Sequence, residues 1–315
     1  MSNEYTKSSG EGNQIKKKLI ELMKLAEEMG IDISGELDEL DVMLGETSKA
    51  EAAWEKVVLA RHQERPCSMD YIGLIFDDFI ELHGDRAFGD DPAIVGGIAF
   101  LNGKPVTIIA NQRGRSLQER IHRNAGMANP EGYRKALRLA KQAEKFHRPI
   151  ITFVDTAGAY PGIGAEERGI GESIAHNLRD FSRLRTPIIC VIIGEGGSGG
   201  ALGICVGDKV YMLENSIYSV ISPEGCASIL LRDPSRAKNA AAMLRISSED
   251  LMAFNVIDGV IKEPGEGAHT DPAVVAASIK EVLVKDIAGL EEIPLSVLVC
   301  NRNQKIRAVG YWEEG

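Results

Sequence analysis

Residues 194–201 read Gly-Glu-Gly-Gly-Ser-Gly-Gly-Ala, five glycines in eight positions, directly after the apolar run Ile188–Ile193. No other segment restricts the fold as strongly. A glycine run at the end of an apolar strand lets backbone pass close to backbone or to a ligand. The short run of small residues after it predicts a helix whose first N–H groups are free for an anion or an oxyanion. The run satisfies G-x-G-x-x-G from Gly194 to Gly199, with Glu214 standing 20 residues on. The next strand begins at Lys209, however, which leaves too little chain for the crossover of a dinucleotide-binding unit. Gly196–Gly200 also fits G-x-S-x-G, which keeps a serine hydrolase using Ser198 open as an alternative. None of the six histidines stands in a signature with that serine.

A second block, Asp155–Gly169, follows the strand Ile150–Val154 and carries Thr-Ala-Gly-Ala-Tyr-Pro-Gly before Glu166-Glu167-Arg168. Ligand sites of α/β folds lie at such strand ends. Between the two blocks the pattern predicts a helix over Glu167–Arg183. Upstream, Ala93–Leu101 and Pro105–Ala110 flank Asn102-Gly103, which predicts a hairpin. Asn129-Pro130 predicts a helix start, as does Ser222-Pro223-Glu224. Strands are also expected at Lys209–Leu213, Ile217–Ile221 and Val256–Ile261, with a long helix from about Asp271 to Ile287. Strands and helices alternate, often two strands to a helix, so the expected class is α/β with repeated strand–strand–helix turns.

Charge is distributed unevenly. The chain carries a net −10, and Glu21–Glu55 alone holds eleven acidic residues against two lysines. Amphipathic helices are expected at Ile15–Met29 and Leu37–Arg61 within this acidic arm, after a polar, disordered tip at 1–14. Asn111–Arg148 is the counterpart, with ten Lys/Arg against three Glu, and Arg113 lies in its first cluster. An acidic total argues against general nucleic-acid binding, and no apolar run approaches the ~20 residues of a membrane span. The five cysteines are scattered and never form C-x-x-C, which points to a reducing, cytoplasmic setting and away from a disulfide or zinc scaffold. The expected organisation is an arm over 1–62, a body over 63–290 and a loosely held tail over 291–315.

Together these blocks carry a family likeness. Leu59-Ala60-Arg61-His62, Gly84-Asp85-Arg86, Ala93–Ile98, Pro130–Leu139, both glycine-rich blocks and Tyr218–Leu230 make the chain resemble the α subunits of bacterial acetyl-CoA carboxylase carboxyltransferase. Departures include Ala157 where proline is common, Ala125 for Phe, Ile170-Gly171 for Gln-Ser, and Pro264-Gly265-Glu266-Gly267 for Pro-Leu-Gly-Gly.

The resemblance implies a crotonase-like fold of repeated ββα turns with an N-terminal helical extension. It implies transfer of a carboxyl group from carboxybiotin, held on a separate biotin carboxyl carrier protein, to acetyl-CoA, giving malonyl-CoA for fatty-acid synthesis. It implies pairing with a zinc-ribbon β subunit as an α2β2 heterotetramer, with no metal or nucleotide, no membrane and no nucleic acid on this chain. Adjacent glycine N–H donors of the family's oxyanion site map onto Gly199 and Gly200. The substrate-facing residues expected beside them are Gly158, Ala159, Tyr160, Gly162, Gly196, Gly197, Ser198 and Arg113. Such chemistry needs preorganised donors rather than a His or Cys base. The alternatives are a carboxyltransferase for another acyl-CoA, a ClpP-like serine hydrolase at Ser198, and a non-catalytic subunit that docks the carrier.

Overall fold

A computed structural model of the chain describes residues 34–310. The expected helix at Ile15–Met29 lies outside them. The chain divides into two compact units, 1–49 and 50–315. The boundary falls inside α1 (Ser34–Ala60), so the body begins about a dozen residues before the expected boundary at 62. The reason is packing: Val57 and Ala60 are buried with Ile217, Ala241 and Ile246.

The body is an eight-stranded mixed sheet with helices on both faces. After α2 (Ser68–Ile75) come β1 (Asp77–Glu81), β2 (Ile94–Leu101) and β3 (Lys104–Asn111), paired antiparallel as a meander. The predicted turn at Asn102-Gly103 closes the β2–β3 hairpin, with φ of 49° and 77° at its two residues. Next follow α3 (Leu117–His122), α4 (Pro130–Lys145), β4 (Ile150–Thr156), α5 (Ile163–Glu167), α6 (Ile170–Phe181) and β5 (Ile188–Gly197). Then come α7 (Ser198–Leu202), β6 (Lys209–Leu213), β7 (Ile217–Ser219) and α8 (Pro223–Cys226). The last elements are α9 (Ala237–Leu244), α10 (Ser248–Ala253), β8 (Gly259–Ile261), α11 (Pro272–Glu291) and α12 (Leu295–Arg307). The strand order is β1-β2-β3-β4-β5-β6-β8, with β7 paired to the far end of β5 and all pairings from β3 onward parallel.

Alternation along the strands feeds two cores. Ile150, Val154, Ile188, Cys190 and Ile192 point to the face covered by Tyr133, Ala136, Leu139 and Ala140 of α4 and by Phe181 of α6. Ile151, Phe153, Ile189, Val191 and Ile193 point to the other face, where Ile72 and Ile75 of α2 and Ile279, Leu283 and Ile287 of α11 cover them. Every residue of β4 and β5 is therefore buried, the condition of central parallel strands. Among the described residues no helix is long and apolar enough to cross a membrane, and no group of His, Cys, Asp or Glu is arranged to hold a metal ion.

Three expectations are corrected. The helix expected over Glu167–Arg183 starts only at Ile170, because Gly169 takes a left-handed conformation (φ 79°) that separates it from the short α5 ending at Glu167. The strand expected to stop at Ile193 runs on to Gly197, because β7 supplies a parallel partner for Glu195–Gly197. The stretch expected to be a loose tail contains α12, and Arg302 on it is fully buried. Its guanidinium donates to both carboxylate oxygens of Asp208 (2.8 and 2.6 Å) and to the carbonyls of Phe181, Leu184 and Thr186. A buried arginine needs such a set, since desolvation without partners is prohibitive.

Arg302→Ala leaves Asp208 buried with its charge uncompensated. It is expected to lower stability by about 3–5 kcal/mol in denaturant unfolding; an unchanged midpoint contradicts the lock. A second expectation concerns acid. Burial opposes ionisation of Asp85, but N–H groups of Ala87, Phe88 and Gly89 and the Arg134 guanidinium outweigh it and hold the carboxyl at about 2. A carboxylate held below its unfolded value stabilises the fold above that value. Its contribution is expected to fade as pH falls from about 4 to about 2, and an Asp85→Asn variant is expected to show a flatter acid-unfolding profile.

Candidate active site

The two glycine-rich blocks meet backbone to backbone. A Cβ on Gly197 would stand 2.1 Å from the Ala157 carbonyl oxygen, and a Cβ on Gly200 would stand 2.2 Å from the Gly158 carbonyl carbon. No side chain fits either position, so the loop after β4 lies directly on the turn from β5 into α7. Gly199 differs: a Cβ there meets only Ile174, at 3.6 Å. Gly158 is likewise open, with nothing within 4 Å of a Cβ. Gly200 therefore holds the loops together, while Gly199 and Gly158 face free space.

Between them stands Ser198, a left-handed residue (φ 47°) at the first position of α7. Strained residues of this kind collect at functional sites. Helix geometry leaves the first N–H groups of α7 without intrahelical partners. At its other end α7 is pinned. The Tyr133 hydroxyl donates to the Gly200 carbonyl (3.3 Å), and Asn177 Nδ2 donates to the carbonyls of Gly203 (2.8 Å) and Tyr133 (3.0 Å). Buried side chains of α4 and α6 thus fix the helix that carries Gly199 and Gly200.

In front of α7 lies a hollow of about 230 Å³ lined by Ser198, Gly199 and Leu202 on one side and by Tyr218, Val220 and Val256 on the other. Burial, with the nearby Cys205 and Cys190, pushes the Tyr218 phenol well above its ordinary value, so it stays protonated at neutral pH. The hollow offers carbon walls, hydroxyls and backbone donors, and no ionised side chain.

The charged groups lie behind it. Glu195, only 7% exposed at its side chain, accepts from Arg113 Nη2 (2.7 Å) and from Arg61 Nη2 (2.6 Å). Burial alone would raise its carboxyl, but the two guanidiniums hold it below the usual carboxylate range. Asp155 Oδ1 accepts from the Glu195 N–H (3.1 Å) and lies 3.7 Å from Arg113 Nε. Burial by itself would lower the Arg113 guanidinium, and Asp155 and Glu195 raise it instead.

Of the residues expected to face substrate, Gly158, Ala159, Gly196, Gly197 and Ser198 come together with Gly199 and Gly200 at this turn. Tyr160 turns into the core beside them, its N–H bonded to the Ala128 carbonyl (3.0 Å). Gly162 begins α5 under the Tyr160 ring. Arg113 is no free ligand: it is a buried partner of Glu195. Sequence reasoning missed Arg61, Glu195 and Glu224 as one cluster; the glycines on either side of Glu195 are the only local sign that its carboxylate is enclosed. No histidine hydrogen-bonds Ser198 among the described residues: His62 and His269 stack on each other and His83 pairs with Asp90.

Residues 7–310 match the family described as acetyl co-enzyme A carboxylase carboxyltransferase-like. The chain belongs to this family. The acetyl-coenzyme A carboxylase carboxyl transferase subunit alpha of Treponema denticola is 64% identical over 293 residues, 93% of this chain and 96% of the relative. That of Staphylococcus carnosus is 53% identical over 305 residues, 96% of this chain and 97% of the relative. Among solved structures, a Pseudomonas malonate decarboxylase hetero-tetramer in complex with coenzyme A matches with a TM-score of 0.57 at 17% identity, covering 70% of this chain and 89% of that one. Transcarboxylase 12S matches with a TM-score of 0.54 at 24% identity, covering 67% of this chain and 40% of that one. The fold is the crotonase-like α/β fold that these structures share.

The two exposed-versus-packed glycines separate in a stability measurement. Gly200→Ala forces the loops apart and is expected to cost about 1–3 kcal/mol. Gly199→Ala is expected to be neutral or to stabilise α7 by up to ~1 kcal/mol. Thermal unfolding of both variants checks the contrast, and equal midpoints contradict it.

Proposed function

We propose that this chain is the α subunit of a biotin-dependent acetyl-CoA carboxyltransferase, and that the N–H groups of Gly199 and Gly200 are its oxyanion donors. Membership of the family and relatives named for this activity at up to 64% identity support the reaction. The observation that carries the site is the start of α7, open at Gly199 and packed against Gly158 at Gly200, on a helix pinned through its carbonyl end.

The residues suit a compact, largely apolar ring system with one polar edge. Leu202, Val220, Leu251 and Val256 give carbon contact, and Ser198 and Gly199 of α7 line the same hollow. When bound, carboxybiotin on its carrier protein supplies an activated carboxyl group. Gly199 and Gly200 hydrogen-bond oxygen that gains charge during transfer, and they need no reorganisation to do so. Ser198 bounds the same space and orients what enters it. The Tyr218 phenol stays protonated beside Cys205 and takes no proton. The full site is shared with a β subunit that brings the acyl-CoA, with malonyl-CoA as product. Ser198 has no histidine base, which disfavours the hydrolase reading.

The test is reconstitution with a β subunit and carboxybiotin on a carrier protein. Wild type is expected to form malonyl-CoA. Gly199→Leu fills the space before the donors and is expected to lower kcat about 10²–10³-fold while the subunits still co-elute. Ser198→Ala is expected to retain most of the rate. Full activity of Gly199→Leu sinks the donor assignment, and failure of the wild type to transfer sinks the reaction.

A further inference from the structure

Arg61 follows α1, far from α7 in sequence, yet its guanidinium touches both walls of the candidate site. Nη2 donates to Glu195 Oε1 (2.6 Å) and Nε to the same oxygen (3.2 Å). Nη1 donates to Glu224 Oε1 (2.7 Å), and Nη2 also reaches Glu224 Oε2 at 3.5 Å. Glu195 stands three residues before Ser198, in the stretch of β5 that leads into α7. Glu224 stands four residues after Val220, in the first turn of α8. Ser198 and Gly199 form one side of the hollow, and Tyr218 to Val220 form the other. A narrow crevice bordered by Ala157, Glu195, Gly197, Ser219 and Ser222 lies where the two walls meet.

The two walls have little else in common at this end. β7 pairs with β5 through only three residues, Ile217–Ser219, and the chain leaves the sheet immediately afterwards. Burial lowers the Arg61 guanidinium, but the two carboxylates outweigh it and keep it charged. The side chain is 29% exposed, so the brace is reached from solvent and is not part of a sealed core.

We infer that Arg61 is a positioning residue: it cross-braces β5 to α8 and so sets the width of the hollow in front of Gly199. This rests on the carboxyltransferase reading above. A planar guanidinium offers separate N–H edges to two carboxylates, whereas a lysine ammonium is a point donor on a flexible stem. Arg61→Lys keeps the charge beside Glu195 and loses the fixed span to Glu224. Because misplacement by about 1 Å can cost as much as 10²-fold in rate, the loss falls on kcat.

The test uses the reconstituted complex. Arg61→Lys is expected to keep its melting temperature and subunit association, to lower kcat about tenfold or more, and to leave KM for acetyl-CoA within about twofold. A double-mutant cycle then separates bracing from mere structural support. Glu195 is also held by Arg113, so Glu224→Gln is the cleaner cut. If Arg61 acts through Glu224, Glu224→Gln lowers kcat in the wild type and changes it little in the Arg61→Lys background. Equal effects of Glu224→Gln in both backgrounds, or full kcat in Arg61→Lys, overturn the brace. A wild-type complex without transfer activity overturns the carboxyltransferase reading instead, so the two failures are distinguishable.

Discussion

The structure depends on one close approach. Where Gly197 meets Ala157 and Gly200 meets Gly158, two loops from neighbouring parallel strands touch through their backbones, at distances that no β-carbon permits. Adjacent parallel strands lie about 4.8 Å apart, and loops at their ends usually diverge to make room for side chains. Here they stay in contact, and that contact turns the chain from β5 into α7 through the left-handed Ser198. The first N–H groups of α7 consequently have one direction, set by packing and not by any flexible side chain.

The rest of the body reads as support for that turn. β4 and β5 are buried along their whole length between α4 and α6 on one face and α2 and α11 on the other. Tyr133 and Asn177 reach from α4 and α6 to the carbonyl end of α7. Below the turn, Arg61 and Arg113 neutralise Glu195, which is enclosed where glycines leave room for its carboxylate. A site built this way presents backbone donors and carbon walls. It suits a reaction in which charge moves onto substrate oxygen, because fixed dipoles stabilise that charge without first rearranging.

Much of this was legible in the residues. Glycine spacing after an apolar strand revealed the close-packed turn into α7, and Asn102-Gly103 revealed the hairpin, because both depend on local backbone freedom. What remained hidden depends on partners distant in sequence. The strand continues to Gly197 only because Ile217–Ser219 pairs with it. The tail is ordered only because Arg302 finds Asp208 and three carbonyls more than ninety residues away. Arg113 sits in a basic stretch and was expected to face substrate, and its carboxylate partner is 82 residues on. Ser198 gave no sign of its left-handed backbone, since serine has no preference for that region.

We propose that the N–H of Gly200, with that of Gly199, does the work that a side chain would do elsewhere. Replacing Gly200 by glycolic acid converts that amide to an ester and removes the N–H without adding a single atom to the crowded contact. Single-turnover carboxyl transfer by the reconstituted complex is the measurement. The account predicts a rate lower by about 10²–10³-fold with subunit association intact. A wild-type rate from the ester-containing chain contradicts it.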